Sequence, residues 1–241
     1  MVTGQKKENI IEGLFKVGAH FGLIRSRRHP SARPFIFGVK NKIEIFDLEK
    51  TNEALEKAKD FIKKIVAEGG VVLFVGGKNE AQEAIRTGAS KVGMPYVAGR
   101  WLGGTLTNFP EIKKRIAKLE DLTSQKEKGE LGKYTKKERL LIDREIVTLT
   151  HDFSGISVMR NLPKVLFVVD LKREMIAVKE AHRLHIPVVS LSSSDCNLRD
   201  VEFAIPGNDA SKASIQFFVN EIASAIEEGK KEQLQSKAEP K

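Results

Sequence analysis

The sequence predicts an α/β fold: a parallel sheet with helices on both faces, interrupted by an inserted antiparallel helical hairpin. Two observations predict it. Continuously apolar runs at residues 71–75 and 165–169 alternate with amphipathic stretches, as strands buried on both faces of a parallel sheet require. Between these halves, residues 109–153 abandon that alternation and carry a thin apolar seam.

The elements follow in order. Ile10, Ile11, Leu14 and Val17 have helical spacing and predict a helix over 8–17, ended by Gly18-Ala-His-Phe-Gly22. Residues 23–42, with Pro30 and Pro34, read as irregular, and 43–47 as a strand. Thr51 is positioned to cap a helix with Leu55, Ala58, Ile62, Ile65 and Val66 on its apolar face, closed by Gly69-Gly70. The strand at 71–75 leads to a helix over 80–92, then a short strand at Tyr96-Val97. In Arg100-Trp-Leu-Gly-Gly-Thr-Leu-Thr-Asn108, Asn108 is placed to cap the next helix.

That helix carries Ile112, Ile116 and Leu119, and its return partner carries Ile142, Ile146, Leu149 and Phe153. A polar turn around Gly129 and Gly132 separates them, giving an antiparallel hairpin with a coiled-coil-like seam. The alternation resumes with strands at 165–169, 187–191 and 203–205 and helices at 175–184 and 211–228. The division is one discontinuous α/β domain, 1–108 with 152–228, a hairpin insertion at 109–151, and a flexible polar tail at 229–241.

Composition narrows the class. The chain has 241 residues, 41% hydrophobic, and one cysteine, Cys196, so no intrachain disulfide forms and the reading is a reducing, cytoplasmic setting. The start is polar, without the apolar core of a signal peptide, and no run approaches the ~20 residues that span a bilayer, so no membrane partner is expected. The net charge is +9, which points to a polyanionic partner.

That charge is clustered. Residues 25–42 hold Arg25, Arg27, Arg28, Arg33, Lys40 and Lys42 and no acid. Guanidinium forks match phosphate oxygens, and neutralising phosphates releases counterions. Phe35 and Phe37 are placed to anchor this segment. The hairpin adds Lys113, Lys114, Arg115, Lys118, Lys126, Lys128, Lys133, Lys136, Lys137, Arg139 and Arg144 against eight acids. This pattern suits an arm reaching into a partner, or simply the charged outside of a coiled coil. The phosphate-binding candidates are Arg25, Arg27, Arg28, Arg33, Lys40, Lys42, Arg100, Lys113, Lys114, Arg115, Lys136, Lys137 and Arg139.

Catalytic signatures are missing. Gly76-Gly77-Lys78 stands where phosphate loops stand, yet Val72 and Asn79 break the G-x-x-x-x-G-K-[ST] spacing, and no G-x-G-x-x-G occurs. His182, His185 and Cys196 lack a fourth zinc ligand, and Ser192-Ser-Ser-Asp195 is no nucleophile elbow. Asp170 reads either as an active-site carboxylate or as a cap for the helix after it. No catalytic residue, cofactor, metal or small-molecule substrate is expected. A nucleotide-dependent enzyme on the same fold is the alternative.

Several segments together resemble the bacterial-type small-ribosomal-subunit protein S-two family. They are Gly18-Ala-His-Phe-Gly22, Pro34-Phe-Ile-Phe-Gly38, Ile43-Glu-Ile-Phe-Asp-Leu-Glu-Lys-Thr51, Val75-Gly-Gly-Lys-Asn-Glu-Ala-Gln82, the Arg100-to-Asn108 motif, Leu162-Pro-Lys-Val-Leu-Phe-Val-Val-Asp170, Ile186-Pro-Val-Val189 and Ile205-Pro-Gly-Asn-Asp209. They occur in the family's order. The resemblance implies a Rossmann-like (flavodoxin-like) domain with a protruding coiled-coil hairpin. It also implies a non-enzymatic ribosomal protein that binds 16S-type ribosomal RNA beside neighbouring small-subunit proteins and helps dock protein S-one. Two stretches depart from the family's pattern. Leu23 and Arg28-His29-Pro30 replace a His and a Trp-Asn-Pro, and residues 192–198 lack the family's carboxylates at Ser193 and Asn197.

Overall fold

Residues 72–75 and 165–169 are wholly apolar, and every one of them is buried. They form the centre of the sheet in the computed structural model, which describes residues 2–238. The elements are α1 (Val2–Lys16), β1 (Phe21–Ile24), β2 (Ile36–Lys40), β3 (Ile43–Phe46), α2 (Leu48–Ala67), β4 (Val72–Val75), α3 (Asn79–Lys91), β5 (Tyr96–Val97), α4 (Phe109–Glu127), α5 (Lys136–Phe153), β6 (Val165–Val169), α6 (Met175–Arg183), β7 (Val188–Ser192), β8 (Phe203–Pro206) and α7 (Lys212–Ala238).

The large sheet is fully parallel in the order β5-β4-β6-β7-β8. Counted along these five strands that is 2-1-3-4-5, the flavodoxin-like order, whose direction reverses between β4 and β6. Alternate residues feed two cores. Val72, Phe74, Val165 and Phe167 pack with α2, α3 and α7, whereas Leu73, Val75, Leu166 and Val168 pack with Trp101, α6 and the base of α4 and α5. Among the described residues no helix is long and apolar enough to cross a membrane.

Helices α4 and α5 run antiparallel, because ion pairs join Lys118 to Glu145 and Lys126 to Asp143. Thr135 and Glu138 form the reciprocal capping box that starts α5. Ile112, Ile116, Leu119, Leu149 and Phe153 of the expected seam are buried and continue the second core, while Ile142 and Ile146 are only partly covered.

Four expectations need correction. Residues 23–42 are ordered: β1, two 3-10 turns (Arg25–Arg27 and Pro30–Phe35) and β2 build a second, antiparallel sheet with β3 in the centre. Pairing with β3 supplies the regularity that local sequence does not signal. The cap of α2 is Asp47, which accepts from the N–H groups of Glu49 and Lys50. Thr51 is buried instead, and its hydroxyl donates to the Pro206 carbonyl (2.8 Å), stitching α2 to β8. Asn108 holds the N-cap position of α4 without a side-chain cap bond. Helix α7 does not end at 228 but runs on to Ala238, and 239–241 lie outside the described residues.

Candidate nucleic-acid interface

The basic segment is displayed on the small sheet. The β2–β3 connection is Asn41-Lys42, both with positive φ (51° and 67°), the two-residue turn whose twist suits a hairpin. Arg25 N–H donates to the Lys42 carbonyl (3.2 Å), which brings the start and the end of the segment together. Arg25, Arg27, Arg33, Lys40 and Lys42 are exposed, and none has an ion-pair partner among the described residues.

Arg28 differs from these five. Its Nη1 pairs with Glu44 Oε1 at 3.0 Å, and the Glu44 side chain is fully buried. Glu44 is the segment's one neighbouring acid on the sheet, so its charge is cancelled internally. Backbone bonds hold the display in place. Leu23 N–H donates to Ser194 Oγ (3.2 Å), His29 N–H to the Ser194 carbonyl (2.8 Å), and Leu198 N–H to Ser31 Oγ (3.0 Å). The two stretches that depart from the family's pattern thus touch each other.

The position where flavodoxin-like sheets take a ligand, the crevice beyond β4 and β6, is filled by the chain's own side chains. Glu174 Oε1 accepts the Gly77 N–H at 3.0 Å, the bond an anion would take in a phosphate loop. A Cβ at Gly77 would lie 2.5 Å from the Gly99 carbonyl and 2.8 Å from Glu174, so only glycine fits there. Lys78 turns inward, with Nζ 3.3 Å from Asp170 Oδ2 and 3.2 Å from Asp209 Oδ1. Burial pushes Asp209 up to about 6, and it raises Glu174 as well. Burial also drives the Cys196 thiol to about 12, so it is protonated at neutral pH.

Asp170, Cys196 and Asp209 bring ligand-type atoms within 4.8 Å of one another, the one such grouping among the described residues. The Lys78 ammonium already supplies the cation there. Asp170 also accepts from Arg173 N–H (3.2 Å) in the turn before α6, whose N-cap position is Glu174 without a side-chain cap bond, so Asp170 holds the turn and an ion pair and is not the helix cap. Its partner Asp209 had no signal beyond the Pro206-Gly-Asn-Asp209 motif. His182 and His185 line a different surface hollow from Cys196.

The Arg100-to-Asn108 motif closes around one carboxylate. Glu180 Oε1 accepts from Trp101 Nε1 (3.1 Å) and Gly104 N–H (2.7 Å), and Oε2 from Leu106 N–H (3.0 Å), Thr107 N–H (3.1 Å) and Thr107 Oγ1 (3.2 Å). Burial opposes ionisation of Glu180, yet these donors together hold it below the usual carboxylate range. A helix α6 residue therefore fixes the turn from which α4 departs.

Arg100 is exposed beside a cleft of about 410 Å³ that also holds Gln82, Arg86 and His151. On its other side it borders a hollow shared with Arg173. Arg86 and Arg173 are cations that sequence reasoning missed, because three separate elements bring them beside Arg100. On the helix pair, Lys113 lies over the Phe109 ring (5.0 Å) and Lys114 pairs with Glu111 (2.7 Å). Arg115, Lys136, Lys137 and Arg139 are exposed.

The fold and these sites define a class: a flavodoxin-like α/β scaffold with its ligand crevice internally filled and a cationic sheet on display. The sequence profile of the family described as Ribosomal protein S2 matches residues 14–229, and the chain belongs to that family. It is 44% identical to the small ribosomal subunit protein uS2 of Maridesulfovibrio salexigens over 225 residues, 93% of this chain and 87% of the relative. The corresponding protein of Bdellovibrio bacteriovorus is 44% identical over 91% of this chain and 70% of its own length. That of Nitratiruptor is 44% identical over 91% and 82%. The family is one of structural, non-enzymatic proteins, and the nucleotide-dependent enzyme reading is not supported.

Proposed function

We propose that the chain holds 16S-type ribosomal RNA chiefly through the small sheet, with Arg25, Arg27, Arg33, Lys40 and Lys42 on phosphates. As a family member it works in the small ribosomal subunit, a cytoplasmic particle in bacteria, in contact with ribosomal RNA and neighbouring proteins. The observation that carries the reading is the set of five exposed cations without ion pairs, beside an acid cancelled by Arg28. Such contacts fix register and orientation and carry no base code.

Arg100, Lys113, Lys114, Arg115, Lys136, Lys137 and Arg139 form a second set. They lie on or beside an arm, 109–151, that we read as inserted into one domain formed by 1–108 and 152–228. Protein S-one is among the neighbours in this reading.

The test is sedimentation of small subunits through sucrose gradients with Arg25→Glu, Arg27→Glu and Arg33→Glu combined. The variant leaves the subunit at salt that retains the wild type, and unchanged retention defeats the reading. Arg28 is left intact on purpose. Reversing it would strand the buried Glu44 charge, at a cost of about 3–5 kcal/mol, and confuse unfolding with weak binding.

A further inference from the structure

Phe37 is 82% exposed, the most open large apolar side chain among the described residues. The expectation that it anchors the basic segment fails. Phe35 packs against the second core and Phe46 is buried, so these two do the anchoring. Phe37 sits on β2, an outer strand of the small sheet. The register against β3 shifts at this point, between Ile36 and Gly38, and Val39 beyond it is also exposed. Nothing lies within 4 Å of where a Gly38 Cβ would stand, so the space beside Phe37 along the strand is open.

An uncovered ring contributes little to this fold, and its charge surroundings are one-sided. Arg33 stands four residues before it and Lys40 three after, so the strand's rise of ~3.3 Å per residue keeps Lys40 within about 10 Å. Lys42 and Arg25 meet at the hairpin tip. The acid on this sheet, Glu44, is buried and paired. An apolar protein partner has no use for five exposed, unpaired cations in the segment that carries this phenylalanine. A single strand of nucleic acid fits: its bases stack on aromatic faces and its phosphates meet lysine and arginine.

We propose that Phe37 is a stacking platform for one unpaired base of ribosomal RNA, with Arg33 and Lys40 on the flanking phosphates. This deepens, and rests on, the RNA-binding reading above.

The experiment uses the full chain in small subunits, comparing wild type with Phe37→Ala, Phe37→Leu and Phe37→Trp over a salt series. Stacking is not a counterion effect. Phe37→Ala therefore weakens binding by the same factor, about tenfold or more, at every salt concentration and leaves the salt slope unchanged. Phe37→Leu, apolar without a π-face, behaves like alanine, and Phe37→Trp behaves like wild type. Nucleotide-resolved chemical probing then finds an unpaired base that becomes reactive with alanine and leucine but stays protected with tryptophan. Wild-type binding by Phe37→Leu, or no change in any nucleotide, overturns the inference in favour of an apolar protein contact. Failure of the wild type itself to co-sediment removes the RNA reading, and the inference with it. Thermal melting of the free variants, expected to match wild type at so exposed a site, keeps folding out of the comparison.

Discussion

At the scale of single residues, two buried carboxylates do most of the organising, and they work in opposite electrostatic regimes. Glu180 is ionised and saturated with donors, so Glu180→Gln turns an amide NH2 toward N–H groups that need an acceptor. The expected loss is about 2 kcal/mol of stability. Urea unfolding reads it, and an unchanged midpoint would show that the turn before α4 holds without this clamp. Asp209 is the contrary case, because burial lifts it to about 6 in the fold. A carboxyl raised above its unfolded value contributes stability that is full below the unfolded pKa and lost as pH rises through the folded one. Asp209→Asn removes that loss. Relative to wild type, the variant gains on going from about pH 4 to pH 6.5, by up to about 3 kcal/mol for a shift near two units. Parallel pH profiles of the two proteins would refute the assignment. Neither carboxylate was legible as a partner in the sequence, since Glu180 acts 73 to 79 residues away and Asp209 131 residues from Lys78.

At the scale of elements, what the sequence discloses depends on whether a segment's regularity is local. Strands β4 and β6 are legible because burial on both faces makes them continuously apolar. Strands β1 and β2 are not, because their apolar residues are half covered and their pairing partner β3 lies further along the chain. Helix α7 reads as ending before Gly229, a residue that usually signals a stop. In the structure the glycine is there for close packing: a Cβ at that point would lie 2.7 Å from the Lys63 carbonyl and 3.0 Å from Val66 Cβ, so α7 continues by pressing against α2. The same logic governs the sheet's edge. Gly155, in the turn after α5, covers β5, and a Cβ there would lie 2.2 Å from the Tyr96 carbonyl. Gly155→Ala must push the base of the helix pair off the edge strand. A loss of about 1–3 kcal/mol is expected, with faster hydrogen exchange in β5 than in β7. Wild-type stability would mean the edge is not held from this side.

At the scale of the whole molecule, the net charge of +9 is less informative than how the cations are deployed. On the α2–α3–α7 side three lysines are engaged: Lys59 with Glu56 and Glu221, Lys63 with Glu228 and Glu232, Lys91 with Glu227. On the small sheet Lys40 and Lys42 have no such partners among the described residues. Counterion release responds only to charges that meet phosphate, so a paired lysine such as Lys91 and the unpaired Lys40 and Lys42 make a direct contrast. Replacing Lys40 and Lys42 by glutamine should lower the slope of log affinity against log salt by about 0.7–0.9 for each phosphate that is no longer neutralised. Replacing Lys91 by glutamine should leave the slope unchanged, because its charge faces Glu227 and its ion pair is exposed and worth little to stability. Equal slopes for the two substitutions would mean that the small sheet does not face RNA. A shallower slope in the Lys40 and Lys42 variant, with the Lys91 variant unchanged, would locate phosphates on β2 and its turn.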